Sequence, residues 1–215
     1  MNSVLSRLLR PFYRWVLRGT PPLDPWERVA VRPPVARFAA GSRQQFDWYL
    51  RGESTVSVTS IDDIVGWLLN CQYASDESLF SKPDHWQHPT TFERLQRGDC
   101  EDHALWAWRK LLELGIDAEF VVGRLLYDDP ELPATKGGHA WVLFKNDGEA
   151  FLLEAVATSR SRMIRPLSAV ASEYRPEYGV ARDLKTFAFA GMAETYYEHE
   201  FSTRRNKSSS DVGTG

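Results

Sequence analysis

The sequence predicts an α+β fold in which a cysteine at a helix N-terminus packs on an antiparallel sheet. Three observations carry this. Helical segments come first and strand segments follow, instead of alternating as βαβ units do. The turn "KNDGEA", residues 145–150, lies between two apolar runs, "HAWVLF" and "FLLEAV", and marks a hairpin. The stretch "RGDCEDHALWAW", Arg97 to Trp108, sets a cysteine among acids just where a helix should begin.

Composition bounds the class. The chain has 215 residues, 43% hydrophobic and 26% charged, which suits one globular domain with appendages. No apolar run approaches the roughly 18 residues that a membrane span needs. Residues 1–51 hold nine arginines and no lysine against three acids, a balance of +6, so the other 164 residues carry −9 within the total of −3. Such an arm suits a surface or a partner. It shows no nucleic-acid-binding fold, so no nucleic-acid partner is expected. Two cysteines, Cys71 and Cys100, make no disulfide framework. Arg7, Arg10, Arg14 and Arg18 interrupt any signal-peptide core, so the reading is cytoplasmic.

Residues 1–19 read as a basic amphipathic helix. Its arginines share one face, Val4, Leu5, Leu8, Leu9, Phe12, Trp15 and Val16 lie mostly on the other, and Pro11 should kink it. Residues 1–18 could thus make a peripheral membrane or partner contact. The proline-rich residues 20–36 read as an extended linker, residues 37–201 as the folded domain, and 202–215 as a polar, disordered tail. Within the domain, "SRQQFDWYLRG" predicts a short helix ending at Gly52, and "STVSVTS" a brief strand. Ser60 is the expected N-cap of a helix over "IDDIVGWLLNCQYA" that includes Cys71. A helix from about Asp99 should end before Gly115 at the C′ position. "AEFVVGRLLY" and the two hairpin runs read as strands, with "SRMIRPL" and "KTFAFA" as further candidates.

Cys100 is the residue with chemistry. Asp99 is the expected N-cap, and Asp102 resembles its capping-box partner. In the first helical turn, free N–H groups and the helix dipole favour a thiolate. The adjacent acids oppose it, so a histidine partner is wanted. His103 lies one turn along the same helix but has no evident orienting group. His139 has one. With a two- or four-residue turn, paired residue numbers in the hairpin sum to 295, and Glu154 becomes the diagonal neighbour of His139 on one face. A Cys100–His139–Glu154 triad follows if the helix start packs beside that strand.

Residues 84–116, "DHWQHPTTFERLQRGDCEDHALWAWRKLLELGI", resemble the core of the bacterial transglutaminase-like cysteine proteinases, within the wider transglutaminase-like, papain-fold superfamily. The matching residues are Asp84, Trp86, Pro89, Gly98-Asp99-Cys100-Glu101-Asp102 and Leu114-Gly115, and "GGHAWVLF" is similar to the family's histidine strand. The likeness covers residues 60–156. It implies a papain-like core, with Cys100 as nucleophile, His139 as base and acid, and Glu154 as orienter where the family usually has aspartate. It also implies a protein or peptide substrate and no required cofactor. Calcium stays an open option, because family members that cleave surface adhesins bind it through acids at the positions of Asp99, Glu101 and Asp102. The expected activity is that of a peptidase or amidase working through a thioester, which water or an amine then resolves. Its oxyanion hole would use the Cys100 N–H plus an indole N–H from Trp86 or Trp67. Two rival readings stand beside it. One is a catalytically inactive binding domain of the same fold. The other is a zinc module built from His85, His88, Cys100 and His103.

Overall fold

A computed structural model of the chain describes residues 24–126, 132 and 138–193. The helix expected over 1–19 and the tail over 202–215 lie outside the described residues, as does most of the loop 128–138.

The α+β expectation holds. Short helices α1 (Phe46–Leu50), α2 (Ile61–Leu68), α3 (Asp76–Phe80) and α4 (Pro89–Leu95) lead to the long α5 (Cys100–Glu113). Strands β1 (Arg28–Val29), β2 (Gln72–Tyr73) and β3 (Arg97–Gly98) are brief, whereas β4 (Ala118–Leu125), β5 (His139–Asn146) and β6 (Glu149–Leu153) form the middle of the main sheet. Then come α6 (Arg160–Met163), β7 (Ile164–Pro166), α7 (Leu167–Val170), β8 (Tyr174–Val180) and β9 (Thr186–Phe189). The main sheet is antiparallel throughout, in the order β1-β9-β8-β4-β5-β6-β7. β2 and β3 form a separate parallel pair.

Local chemistry explains most of these elements. Ser60 and Asp63 form a reciprocal capping box that starts α2. The helix ends at Leu68, so Cys71 lies just beyond it, its N–H on the Leu68 carbonyl. α5 closes with Gly115 N–H to Leu112 O and Ile116 N–H to Leu111 O, the paired bonds of a Schellman motif. Asp147 and Gly148 both have positive φ, 50° and 82°, as a type I′ hairpin turn requires. That two-residue turn sets the register Asn146↔Glu149 through Val142↔Leu153, the pairing sum of 295.

Two further expectations are corrected, and one strand had no sequence signal. "STVSVTS" forms no strand; Thr55 instead donates its N–H to Glu93, and Lys110 reaches the Val56 carbonyl. Arg28 and Val29, in the proline-rich segment, pair with β9, and Val35 is buried, so this part of the segment is bound to the sheet. β8 carries Pro176 and Gly179 and has no strand signature, yet it is an interior strand. Pro176 is tolerated because it sits where the register shifts between Val122 and Gly123.

Alternation along the strands covers both sheet faces. Phe120, Val122, Ala140, Val142 and Phe144 face α5 with Ile64, Phe92, Trp106 and Trp108. Val121, Trp141 and Leu152 pack on the other face with Val170, Tyr174 and Phe189. Each large side chain so buried contributes about 2–3 kcal/mol of transfer free energy. Twelve of the fourteen residues of α5 are buried, so this helix is the core element, and it packs against β5. Among the described residues, no helix is long and apolar enough to cross a membrane.

Candidate active site

Cys100 is the first residue of α5. Asp99 is the N-cap by position, but its side chain makes no cap hydrogen bond, and Asp102 does not complete a capping box. Asp102 is instead buried, with Oδ1 accepting from the Gln87 N–H at 2.7 Å and Oδ2 from the Gln87 side chain. This ties the segment before α4 to the helix start. The same segment is held from two other directions. Asp84 Oδ2 accepts from Gly41 N–H at 2.7 Å, and Asp76 Oδ2 accepts from His85 N–H at 2.5 Å.

His139 opens β5, and Glu154 follows β6. The structure brings them together: His139 Nε2 lies 2.8 Å from Glu154 Oε2, both side chains 1% exposed. A carboxylate only accepts, so Nε2 donates. That leaves Nδ1, which is buried with no hydrogen-bond partner among the described residues. Cys100 and His139 line one cleft of about 410 Å³, together with Trp86, Tyr73, Val122 and Glu177.

The two indole candidates separate. Trp86 lines the cleft, and its Nε1 is buried without a partner among the described residues. Trp67 stacks on Trp106 with ring centroids 3.9 Å apart and belongs to the packing between α2 and α5, away from the cleft. Its N–H is therefore not placed for the cleft. His103 is buried on α5, donates Nδ1–H to Asp99 O at 2.7 Å, and burial pushes its pKa down to about 4. The zinc set does not assemble. His88 uses Nδ1 to accept from Thr90 N–H and Nε2 to donate to Trp48 O, so both ring nitrogens are committed. Among the described residues, the groups that bring three or more ligand atoms together consist of carboxylates.

Those carboxylates dominate the electrostatics. Burial pushes the Cys100 thiol well above its ordinary pKa, and the charges of Glu101 and Asp99 push the same way. Accordingly, Sγ donates to Glu101 Oε2 at 3.3 Å. Asp99 is raised to about 7, by burial first and then by Asp76 and Asp84. Glu101 and Asp102 are likewise raised by burial, with Asp99 next.

These acids suit a hard cation. Carboxylate oxygens of Asp76, Asp84 and Glu101 lie within 4.8 Å of one another, as do those of Asp76, Asp99 and Asp102. Oδ1 of both Asp76 and Asp99 is buried with no partner among the described residues. Oxygen-only donors with lone pairs to spare are the calcium pattern. The sequence marked Asp99, Glu101 and Asp102. Asp76, which joins both groups, carried no signal, because it stands at the start of α3, in a segment remote from Cys100 along the chain.

No family model matches the chain, and no curated protein matches it. Solved structures do. Calcium-bound LapG of Legionella pneumophila is 19% identical over 55% of this chain and 62% of that one, with a TM-score of 0.42. EGTA-treated LapG gives 19%, 55%, 60% and 0.42. A chain of Cytophaga hutchinsonii, provisionally described as a cysteine protease, is 14% identical over 67% of this chain and 56% of that one, with a TM-score of 0.37. The chain thus spans about 60% of the length of the LapG chains it matches. The likeness is remote, and the site is defined by its own geometry.

Proposed function

We propose that the protein is a cysteine hydrolase or acyltransferase of the transglutaminase-like type, acting on a protein or peptide amide through Cys100, His139 and Glu154. The observation that carries this is the His139–Glu154 hydrogen bond, whose bare Nδ1 shares a cleft with a cysteine at a helix N-terminus. Glu154 holds the imidazole in the Nε2–H form. Nδ1 takes the proton of Cys100 Sγ as sulfur attacks the substrate carbonyl, forming the C–S bond. The Cys100 N–H and the Trp86 indole then hold the oxyanion. The C–N bond breaks, the amine leaves with the proton from Nδ1, and water or a second amine resolves the thioester.

The raised thiol sets a condition on this chemistry. Asp76, Asp84, Asp99, Glu101 and Asp102 would hold calcium, which supplies positive charge beside Cys100 and offsets the carboxylates that keep the thiol protonated. The same raised thiol favours one alternative, a catalytically silent binding domain. Iodoacetamide separates the two. Cys100 should label much faster than Cys71 near neutral pH in the presence of calcium, and His139→Ala should abolish the difference. Equal, slow labelling of both cysteines with calcium present would leave the silent domain standing. Cys71 is a suitable internal reference, since burial pushes its thiol up to about 12.

A further inference from the structure

The Glu154 carboxylate has a second donor on the oxygen that holds His139. Oε2 accepts from His139 Nε2 at 2.8 Å and from the Tyr174 hydroxyl at 2.9 Å. Oε1 is buried with no partner among the described residues, so both bonds fall on one atom. Tyr174 is itself fully buried. Its hydroxyl accepts from the Arg165 guanidinium at 3.2 Å, and Arg165 is fixed by Glu173 at 2.8 Å. The result is a network that converges on Glu154: Arg165 donates to Tyr174 and Tyr174 to Glu154 from one side, and His139 donates to Glu154 from the other, drawing on β7, β8 and β5. The Tyr174 ring also stacks beside His139, centroids 6.5 Å apart at 25°, and packs on Trp141 at 5.0 Å.

We infer that Tyr174 is a positioning residue that fixes Glu154, and through it the tautomer and orientation of His139, with Arg165 holding the hydroxyl. The inference rests on the proposed role of His139. Glutamate has one more rotatable bond than aspartate, and its carboxyl group can swing away from a histidine that it must hold. The Glu154 backbone is pinned, N–H to Met163 O and carbonyl to Ala157 N–H, so the remaining freedom lies in the side chain. A buried hydroxyl on the same oxygen removes it. The cationic guanidinium polarises that hydroxyl and strengthens its donation. A buried carboxylate that accepts from two fixed donors has one low-energy position, and the imidazole follows it.

The test is Tyr174→Phe, which deletes one oxygen and keeps the ring. Two readouts are taken. Nitrogen-15 NMR of the imidazoles, with the His139 signals assigned by loss in His139→Gln, reports the tautomer at pH 7.5. The expected wild-type pattern is protonated Nε2 and bare Nδ1, and Tyr174→Phe should give a mixture of tautomers. The rate of Cys100 alkylation with calcium present should fall about tenfold, the scale of one hydrogen bond to a charged group. The Cys71 rate should stay unchanged. A side chain that only fills space would lower the melting temperature and leave the tautomer alone. Should Tyr174→Phe fold poorly, Arg165→Met removes the donor to the hydroxyl and should move both readouts the same way by a smaller factor. An unchanged His139 tautomer with alkylation within twofold of wild type, in whichever variant folds, would overturn the inference. Were wild-type Cys100 to label no faster than Cys71, the proposed chemistry would fall, while the tautomer measurement would still decide the role of Tyr174.

Discussion

His139 and Glu154 meet through their side chains, 2.8 Å apart, beyond the last rung of the ladder that aligns them. The β5–β6 ladder ends at Val142↔Leu153, so the pair is held by side-chain hydrogen bonds that reach Glu154 from β5 and β8 and not by a cross-strand rung. Replacing Glu154 with alanine would strand the His139 Nε2–H and the Tyr174 hydroxyl in a dry interior. The expected cost is about 2–4 kcal/mol in urea unfolding, with Cys100 alkylation falling to the rate of His139→Ala.

The acids around Cys100 predict a pH signature. Asp99 has its pKa raised to about 7 in the folded state against an ordinary value of 3.8. The folded chain therefore binds more protons than the unfolded one between about pH 4 and 7, and stability falls as pH rises through that window. His103, pushed down to about 4 by burial, works in the opposite direction. The two are separated by Asp99→Asn. Without divalent cations, this variant should match wild type near pH 4 and exceed it by about 2 kcal/mol at pH 8. The measurement is urea unfolding across pH.

Calcium should act on the same groups. Added at pH 7.5, it should raise the melting temperature of wild type, and raise it less at pH 5.5, where protons occupy the acids. Asp76→Asn should weaken the effect, because Asp76 joins both carboxylate groups. Calorimetric scans with calcium and with a chelator give the comparison. Equal shifts in wild type and Asp76→Asn would remove Asp76 from the site.

A different network holds the far end of α5. Lys110 is fully buried, 3.4 Å from Glu93 and 2.9 Å from Glu113, and donates to Val56 O at 2.6 Å. Glu93 also accepts from the Trp106 indole at 2.9 Å and from Thr55 N–H at 2.9 Å. Lys110→Ala leaves buried carboxylate charge uncompensated and should cost about 3–5 kcal/mol. In a double-mutant cycle with Glu93→Gln, the two losses should be strongly non-additive. The His139 tautomer should not move, since this network does not touch the cleft.

Gly98 tests the support beneath Cys100. A Cβ there would meet the Asp102 side chain, with its Cβ at 2.7 Å, and Gln87 Nε2 at 2.8 Å. Gly98→Ala should therefore displace the Gln87–Asp102 contact and destabilise by about 1–3 kcal/mol. It should also change the Cys100 alkylation rate, because Asp102 and Cys100 share one helical turn.

Local sequence was enough wherever a structure is made by neighbours in the chain. The Ser60 cap, the Gly115 helix end, the Asp147-Gly148 turn and the hairpin register were all legible, because each depends on backbone geometry within a few residues. Cys100 and His139 were legible for the same reason, being set by a helix start and a strand start. Non-local packing decided the rest. β8 is a strand because β4 and β9 pair with its backbone, despite Pro176. "STVSVTS" is not one because Glu93 and Lys110 capture its polar groups. His88 and His103 lost their part in a metal set to carbonyls and to burial. Only the assembled sheet set Trp86 apart from Trp67, brought Asp76 to the acids beside Cys100, and laid the Tyr174 hydroxyl on Glu154. Side chains from remote segments acquire common partners when the core closes, and no spacing along the chain encodes that distance.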